Sequence, residues 1–434
     1  MHKRFGGLPD PRKPESPEDV DYSVESLVFL GVLMFTCLLG ARRQVRLQLF
    51  TTFLMDLYKV LFNADSVPHG DTMNGVLCKL PFDDVQERLT GMVETLIDKK
   101  VLYSHRLFAH YYVVAVDATG MLVYRRRHCA HCMTRTHNGT TLYYHPVLEA
   151  KLVTPTGLAF SLMSEFIENP EDEQARSEHQ RKQDCETKAF YRLAKRLHAR
   201  FPRLPLLLAM DGLYAIGPVF AACQRYGWKY TITLSDDQLA SVNEEFESLA
   251  ALTPANRLLW RTGDEGNIIQ RFRWVNDIPY LDSEHRKHNL SVLECLDIRL
   301  DKDGTTHTTK FKWVTNVCVS ADNAIPLANE GGRLRWKIEN EGFNVQKNGG
   351  YNLEHAYTHN EDGIKIYYLL MQIAHLLMQL VEKGSLLAAL FPRGLGSARN
   401  LARRLLEALR NATLSQTQYD ELCTQPIQIR FNSS

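Results

Sequence analysis

Residues 111–120, YYVVAVDATG, and residues 204–212, LPLLLAMDG, decide the fold. Each is an apolar run of strand length that breaks on an aspartate and a glycine turn, at Asp117 and at Asp211. A run without polar alternation is what a strand buried on both faces requires, and such strands belong to the middle of an α/β sheet covered by helices. Two of them closing on a carboxylate is unusual, because a lone carboxylate at the edge of an apolar core is costly unless it is paired or bound to metal. Both aspartates can also be read as turn or helix caps, given the glycine and threonine beside them.

Working outward, MLVYRRR (121–127), HPVLEAKLV (145–153) and GLAFSLMSEFIE (157–168) continue as short strands. An amphipathic helix is expected over 185–201, a helix over 217–226, and a strand in WKYTITL (228–234). Three β-like segments between about 240 and 310, NRLLWRT, NIIQRFRWV and LSVLECLDIRL, predict a strand-rich insertion. TKFKWVTNVCV (309–319) then returns to the core, and a helix starting near Asp322 runs through RLRWKIENEGF. The chain thus divides into a loose Pro-rich tail (1–21), a helical region (22–105), a core in two parts (106–236 and 309–350) split by the insertion (237–308), and a helical C-terminal region (351–434). Helical spacing over 26–39, 47–61 and 85–96, with a cap at Asp71-Thr72, defines the second region. It reads either as a DNA-binding or assembly domain or as a helical packing layer.

Of the 434 residues 44% are hydrophobic and 23% charged, which excludes a mainly disordered chain. A net charge of +1 gives no global field for nucleic acid, so any such binding must come from local patches. The nine cysteines are scattered, as suits a reducing compartment better than a disulfide framework. The first residues carry no apolar stretch of the secretory kind. The most apolar run, 27–39, is shorter than the roughly 18 residues a membrane span needs and is read as a buried helix. No membrane partner is expected, and the expected location is the bacterial-type cytoplasm or nucleoid.

A third carboxylate joins the two aspartates. In RLRWKIENEGFNVQK (333–347), Arg335 and Glu339 are four apart and share a helix face, while Trp336, Ile338 and Phe343 supply apolar packing. Three carboxylates converging from two strands and one helix supply the oxygen ligands that two Mg²⁺ (or Mn²⁺) ions need. The alternative for Glu339 is a surface ion pair with Arg335.

This order of features, Asp117 in VVAVDATG, Asp211 in LLLAMDGLYA and Glu339 in RWKIE, with a long insertion before the last, resembles the DDE transposases of bacterial insertion sequences. The similarity is to the large group with a β-strand insertion and a Tyr-Arg-Glu-Lys signature, and it covers roughly residues 105–380. It implies a ribonuclease-H-like α/β core and two-metal cleavage and strand transfer on double-stranded DNA, at transposon terminal inverted repeats and target DNA, in a homodimeric synaptic complex. The resemblance carries Arg335 over as a phosphate ligand. The signature tyrosine position holds Gly332, and the lysine position holds Gln346, with Lys347 next to it as the candidate phosphate contact. It also implies an aromatic in the insertion that receives a flipped base; Phe311 and Trp313 are the candidates, with core packing as their other use. A non-transposing nuclease, a domesticated DNA-binding protein without catalysis and a zinc-organised structural protein are the rival readings.

Between the first strands, RRRHCAHCMTRTHNGTTLYYH (125–145) places Cys129 and Cys132 at the spacing of two zinc thiolates. His128, His131, His137 and His145 accompany the pair and any one could supply a third ligand, with His137 and Cys185 the candidate further ligands and unpaired buried cysteines the alternative. Arg125, Arg126 and Arg127 are expected to form a basic, phosphate-binding edge beside Asp117.

Overall fold

The computed structural model describes residues 5–12, 20–127, 129–137, 139–169, 184–263, 266–301, 304–387, 391, 393–424 and 428–431. The chain is a mixed α/β protein around a mixed sheet. Ten strands build it among the described residues: β1 (Tyr112–Tyr124), β2 (Met133–His137), β3 (Thr140–Val153), β4 (Ala159–Phe166), β5 (Leu206–Met210), β6 (Lys229–Thr233), β7 (Arg257–Thr262), β8 (Ile268–Leu281), β9 (Lys287–Leu300) and β10 (Thr306–Thr315). They run in the order β2-β3-β1-β5-β6-β10-β9-β8-β7, with β4 on β3. The apolar runs expected to be central are so: β1 pairs parallel with β5, and β5 parallel with β6, while β3 and β10 join antiparallel on either side.

Helices cover both faces. The N-terminal ones are α1 (Val24–Thr36), α2 (Arg43–Leu49), α3 (Thr52–Phe62), α4 (Gly70–Leu77) and α5 (Phe82–Asp98). Next come α6 (Glu186–Arg200), α7 (Gly217–Tyr226) and α8 (Ala240–Leu252), then a helical stretch over 324–348, here α9. The C-terminal ones are α10 (Glu361–Lys383), α11 (Ala398–Asn411) and α12 (Gln416–Thr424). The apolar run near the N-terminus is the buried helix α1, which packs on α10; both share one hydrophobic core with β1, β3 and β5. Helix α10 is long and apolar enough to cross a membrane, but 83% of its most apolar window is buried inside the protein.

Several expectations need correction. Strand β1 does not stop at Asp117 but continues to Tyr124, because Asp117, Ala118, Thr119 and Gly120 pair with Glu149, Leu148, Val147 and Pro146 of β3. What ends at this level is the parallel ladder with β5, whose last pair is Ala115 with Ala209. The insertion opens with helix α8 before its strands. The helix expected over 47–61 is broken at Phe50, with the Thr51 side chain capping α3. His69, not Asp71 or Thr72, caps α4. Phe5 and Leu8 of the supposed loose tail are buried in the core, while residues 1–4 and 13–19 lie outside the described residues.

One face of the sheet carries an unexpected charge pair. Glu149 and Lys151, two apart on β3 and so on one face, are both fully buried and 3.4 Å apart. Glu149 accepts hydrogen bonds from Ser164 and, at 2.8 Å, from the Tyr368 hydroxyl; Lys151 donates to Gln372 at 2.6 Å. Burial lowers the Lys151 pKa and Glu149 opposes that. Removing one partner of a buried pair leaves an uncompensated charge. Lys151→Met is therefore expected to cost about 3–5 kcal/mol of stability in denaturant titration, and the Glu149→Gln, Lys151→Met double variant to recover most of it. A double variant no more stable than the single one would show that the pair is not what the lysine serves.

Candidate carboxylate site and cysteine cluster

Three elements bring the predicted carboxylates together. Asp117 sits on β1 just past the parallel ladder, Asp211 follows the last residue of β5, and Glu339 lies on α9, which packs on this sheet face through Leu334, Ile338 and Phe343. Asp117 and Asp211 are 94 residues apart in sequence and Asp211 and Glu339 a further 128, so only the fold joins them. The Asp117 side chain is 19% exposed and receives the Arg335 guanidinium at 2.9 Å. Burial pushes its carboxyl up to about 6; Arg335 pulls down, while the charges of Asp211 and Glu339 push up again. Arg335 thus pairs with Asp117 and not with Glu339. Asp211 is also a cap, its Oδ1 accepting from the Leu213 N–H at 3.0 Å. The cap reading holds for that oxygen and is compatible with a role for the other.

A fourth carboxylate was not foreseen. Glu186, the first residue of α6, accepts from the Tyr214 hydroxyl at 2.7 Å and is raised by burial, with Asp211 and Asp117 adding repulsion. Nothing in its local sequence distinguishes it, since its helix belongs to another element and only packing delivers it.

Helix α9 is irregular where it carries this chemistry. It contains π turns at Leu327–Gly331 and Ile338–Phe343. A π turn inserts one extra residue, so the position in phase with Glu339 two turns on becomes the eighth rather than the seventh. That position is the half-exposed Lys347, whereas Gln346 is buried and hydrogen-bonded to Gln372 and His375. At Gly332 an added Cβ would come within 2.4 Å of the Trp313 indole, so the close packing of this turn on Trp313 leaves no room for a side chain.

Trp313 is buried, in keeping with core packing, the other use expected of it beside base stacking. Phe311 stacks parallel to it at 6.0 Å, and the Arg333 guanidinium lies 4.0 Å over Phe311. Trp336, expected to pack in the core, is 53% exposed. Phe311, Trp313, Arg333 and Trp336 line a cavity of about 310 Å³ between β10 and α9. Arg125, Arg126 and Arg127 are exposed, but not beside Asp117: with β1 continuous to Tyr124 they lie roughly 25 Å along the strand from it.

At that end of β1, the sulfurs of Cys129 and Cys132 are 3.1 Å apart, and His145 Nε2 is 3.4 and 3.6 Å from them. Among the described residues these three form a group whose ligand atoms all lie within 4.8 Å of one another. Of the expected partners, Cys185 does not join them. Cys185 is exposed at the start of α6. His137 pairs with Thr140 at the turn end of the β2–β3 hairpin, several residues from Cys132; its side chain lies outside the described residues. Burial, then the Cys132 thiol, push the Cys129 thiol up to about 12.

Compared with models of known families and with curated proteins, the chain matches none.

The raised Asp117 carboxyl predicts a pH signature. Its folded value, about 6, lies above the ordinary 3.8, so as pH rises the unfolded chain loses the proton first and the folded state is penalised. The penalty is absent below pH 4, grows between 4 and 6, and is complete above 6, with an upper bound of about 3 kcal/mol. In metal-free buffer Asp117→Asn is expected to gain melting temperature relative to the unsubstituted protein between pH 4 and pH 7. A difference that stays constant over that range would mean that Asp117 carries no such charge.

Proposed function

We propose that the chain is a DDE-type DNA transposase on a ribonuclease-H-like core, with Asp117, Asp211 and Glu339 holding two Mg²⁺ or Mn²⁺ ions. The observation that carries the reading is that Asp117 feels the charges of both Asp211 and Glu339 although the three come from distant parts of the chain. The order of elements supports it: counting β1, β3, β4, β5 and β6 as core strands, the aspartates fall on the first and after the fourth. The glutamate falls on a helix after the fifth, beyond a strand-rich insertion.

The residues fit the ions. All donors are hard oxygens, and bound cations would relieve the repulsion among them. Bound there, such ions activate the attacking hydroxyl and stabilise the leaving oxygen. The chain's own residues orient the substrate. Arg335 fixes Asp117 through Nη1, and its remaining guanidinium N–H groups are donors suited to a phosphate oxygen. Lys347, in phase with Glu339, adds a charge for phosphate. Phe311 and Trp336 offer stacking faces for an extruded base, with Trp313 as their buried floor. Arg125, Arg126 and Arg127 reach phosphates of the duplex several base pairs from the cut, as their distance from Asp117 requires. The substrate would be duplex DNA bearing the terminal repeat, held by a homodimer in the cytoplasm.

The test uses a duplex of the DNA that flanks the reading frame, where this reading predicts an inverted repeat. Asp117→Asn is expected to lower Mg²⁺-dependent nicking and strand transfer by at least about 100-fold and to leave DNA retention intact or stronger. Undiminished nicking would place the chemistry elsewhere, and nicking without joining by the unsubstituted protein would indicate a nuclease that does not transpose. On the same duplex, Lys347→Ala should weaken binding modestly and reduce its salt dependence by about one charge. Phe311→Ala or Trp336→Ala should weaken it by about 1–3 kcal/mol.

A further inference from the structure

We propose that Cys129, Cys132 and His145 bind one zinc ion through Cys129 Sγ, Cys132 Sγ and His145 Nε2, and that this ion pins the basic β1–β2 connection to strand β3. The donor geometry carries the inference. A tetrahedral zinc sets sulfur and nitrogen ligands about 3.5 Å apart and two sulfurs about 3.8 Å apart. The two sulfur–nitrogen distances here are 3.4 and 3.6 Å, so they already match; the sulfur pair, at 3.1 Å, has to spread by about 0.7 Å to reach the zinc geometry. Soft thiolates with imidazole select zinc over the hard cations that suit the carboxylate site.

The cluster is built in. Cys132 and His145 are buried, and Cys129 is half-buried. His145 lies on β3 in register with Met121 of β1, whereas both cysteines belong to the connection that follows β1, so one ion would join two segments. That connection is also held from outside: Asn169 donates to the Cys132 carbonyl at 3.2 Å, and its own carbonyl lies 2.8 Å from His131 Nδ1. Such a scaffold holds the chelating turn in place before metal arrives. On binding, each thiol gives its proton to water as its Zn–S bond forms, and a water completes the fourth corner. The exposed Arg125, Arg126 and Arg127 immediately precede the first ligand, so zinc would order a segment whose three peptide bonds are trypsin sites.

The inference does not rest on the transposase reading, and its readouts are independent of DNA cleavage. Full-length protein, purified without added metal, is expected to contain about one zinc per chain by elemental analysis. Exchange with Co²⁺ should give a thiolate-to-cobalt charge-transfer band, lost by about half in Cys132→Ser, while His145→Ala should weaken Co²⁺ affinity by at least about 10-fold. Stripping zinc from the unsubstituted protein should speed tryptic cleavage at Arg125, Arg126 and Arg127 and leave the cleavage pattern of the rest unchanged; this arm keeps the proposal testable if a variant fails to fold. Absence of both zinc and the cobalt band, or a mass lower by two hydrogens showing a Cys129–Cys132 disulfide in place of metal, would overturn the site. Zinc content unaffected by Cys132→Ser would place the metal elsewhere.

Discussion

The ion pair between Asp117 of β1 and Arg335 of α9 is the joint on which the carboxylate site depends. Without a cation beside it, Asp117 would be a half-desolvated charge facing two others of its own sign, and the helix that brings Glu339 would press repulsion onto the sheet. Arg335 offsets that repulsion only in part, since the carboxyl stays well above its ordinary value. A site so balanced is under-neutralised by the protein itself, and under-neutralised carboxylates are good receivers of divalent cations.

The irregular path of α9 follows from what lies beneath it. Gly342 passes over the stem of Lys151, where an added Cβ would stand 3.3 Å from Lys151 Cδ and Cε, and the lysine ammonium lies under the Phe343 ring at 5.7 Å. A straight α-helix would hold Gln346 in phase with Glu339; with the π turn Gln346 faces inward to Gln372 and Lys347 takes the position in phase with Glu339. The buried Glu149–Lys151 pair and the polar side chains around it thus set the register of the helix above the sheet, a task to which polar groups in a core are suited because only one arrangement satisfies them.

Hard and soft donors are segregated along β1. The carboxylates gather where the parallel ladder with β5 ends, and the sulfur–imidazole cluster lies four residues further, near Met121, about 13 Å away by strand rise. Under the two proposed readings, that separation would keep each donor set from competing for the other's cation.

Local sequence determined the central strands, the helices over 186–200 and 217–226 and the strand-rich insertion, because apolar run length and period report burial directly. It also singled out Asp117, Asp211 and Glu339, since a carboxylate adjoining an apolar run stands out against its neighbours. Only the tertiary structure could decide how far β1 runs, because its second half is held by pairing with β3 and not by its own pattern. Packing likewise brought His145 to the two cysteines and left Cys185 exposed, brought in Glu186, exposed Trp336 and buried Trp313. Those outcomes depend on contacts between residues tens to hundreds of positions apart, and the free energy of such contacts is written in no single segment of the chain.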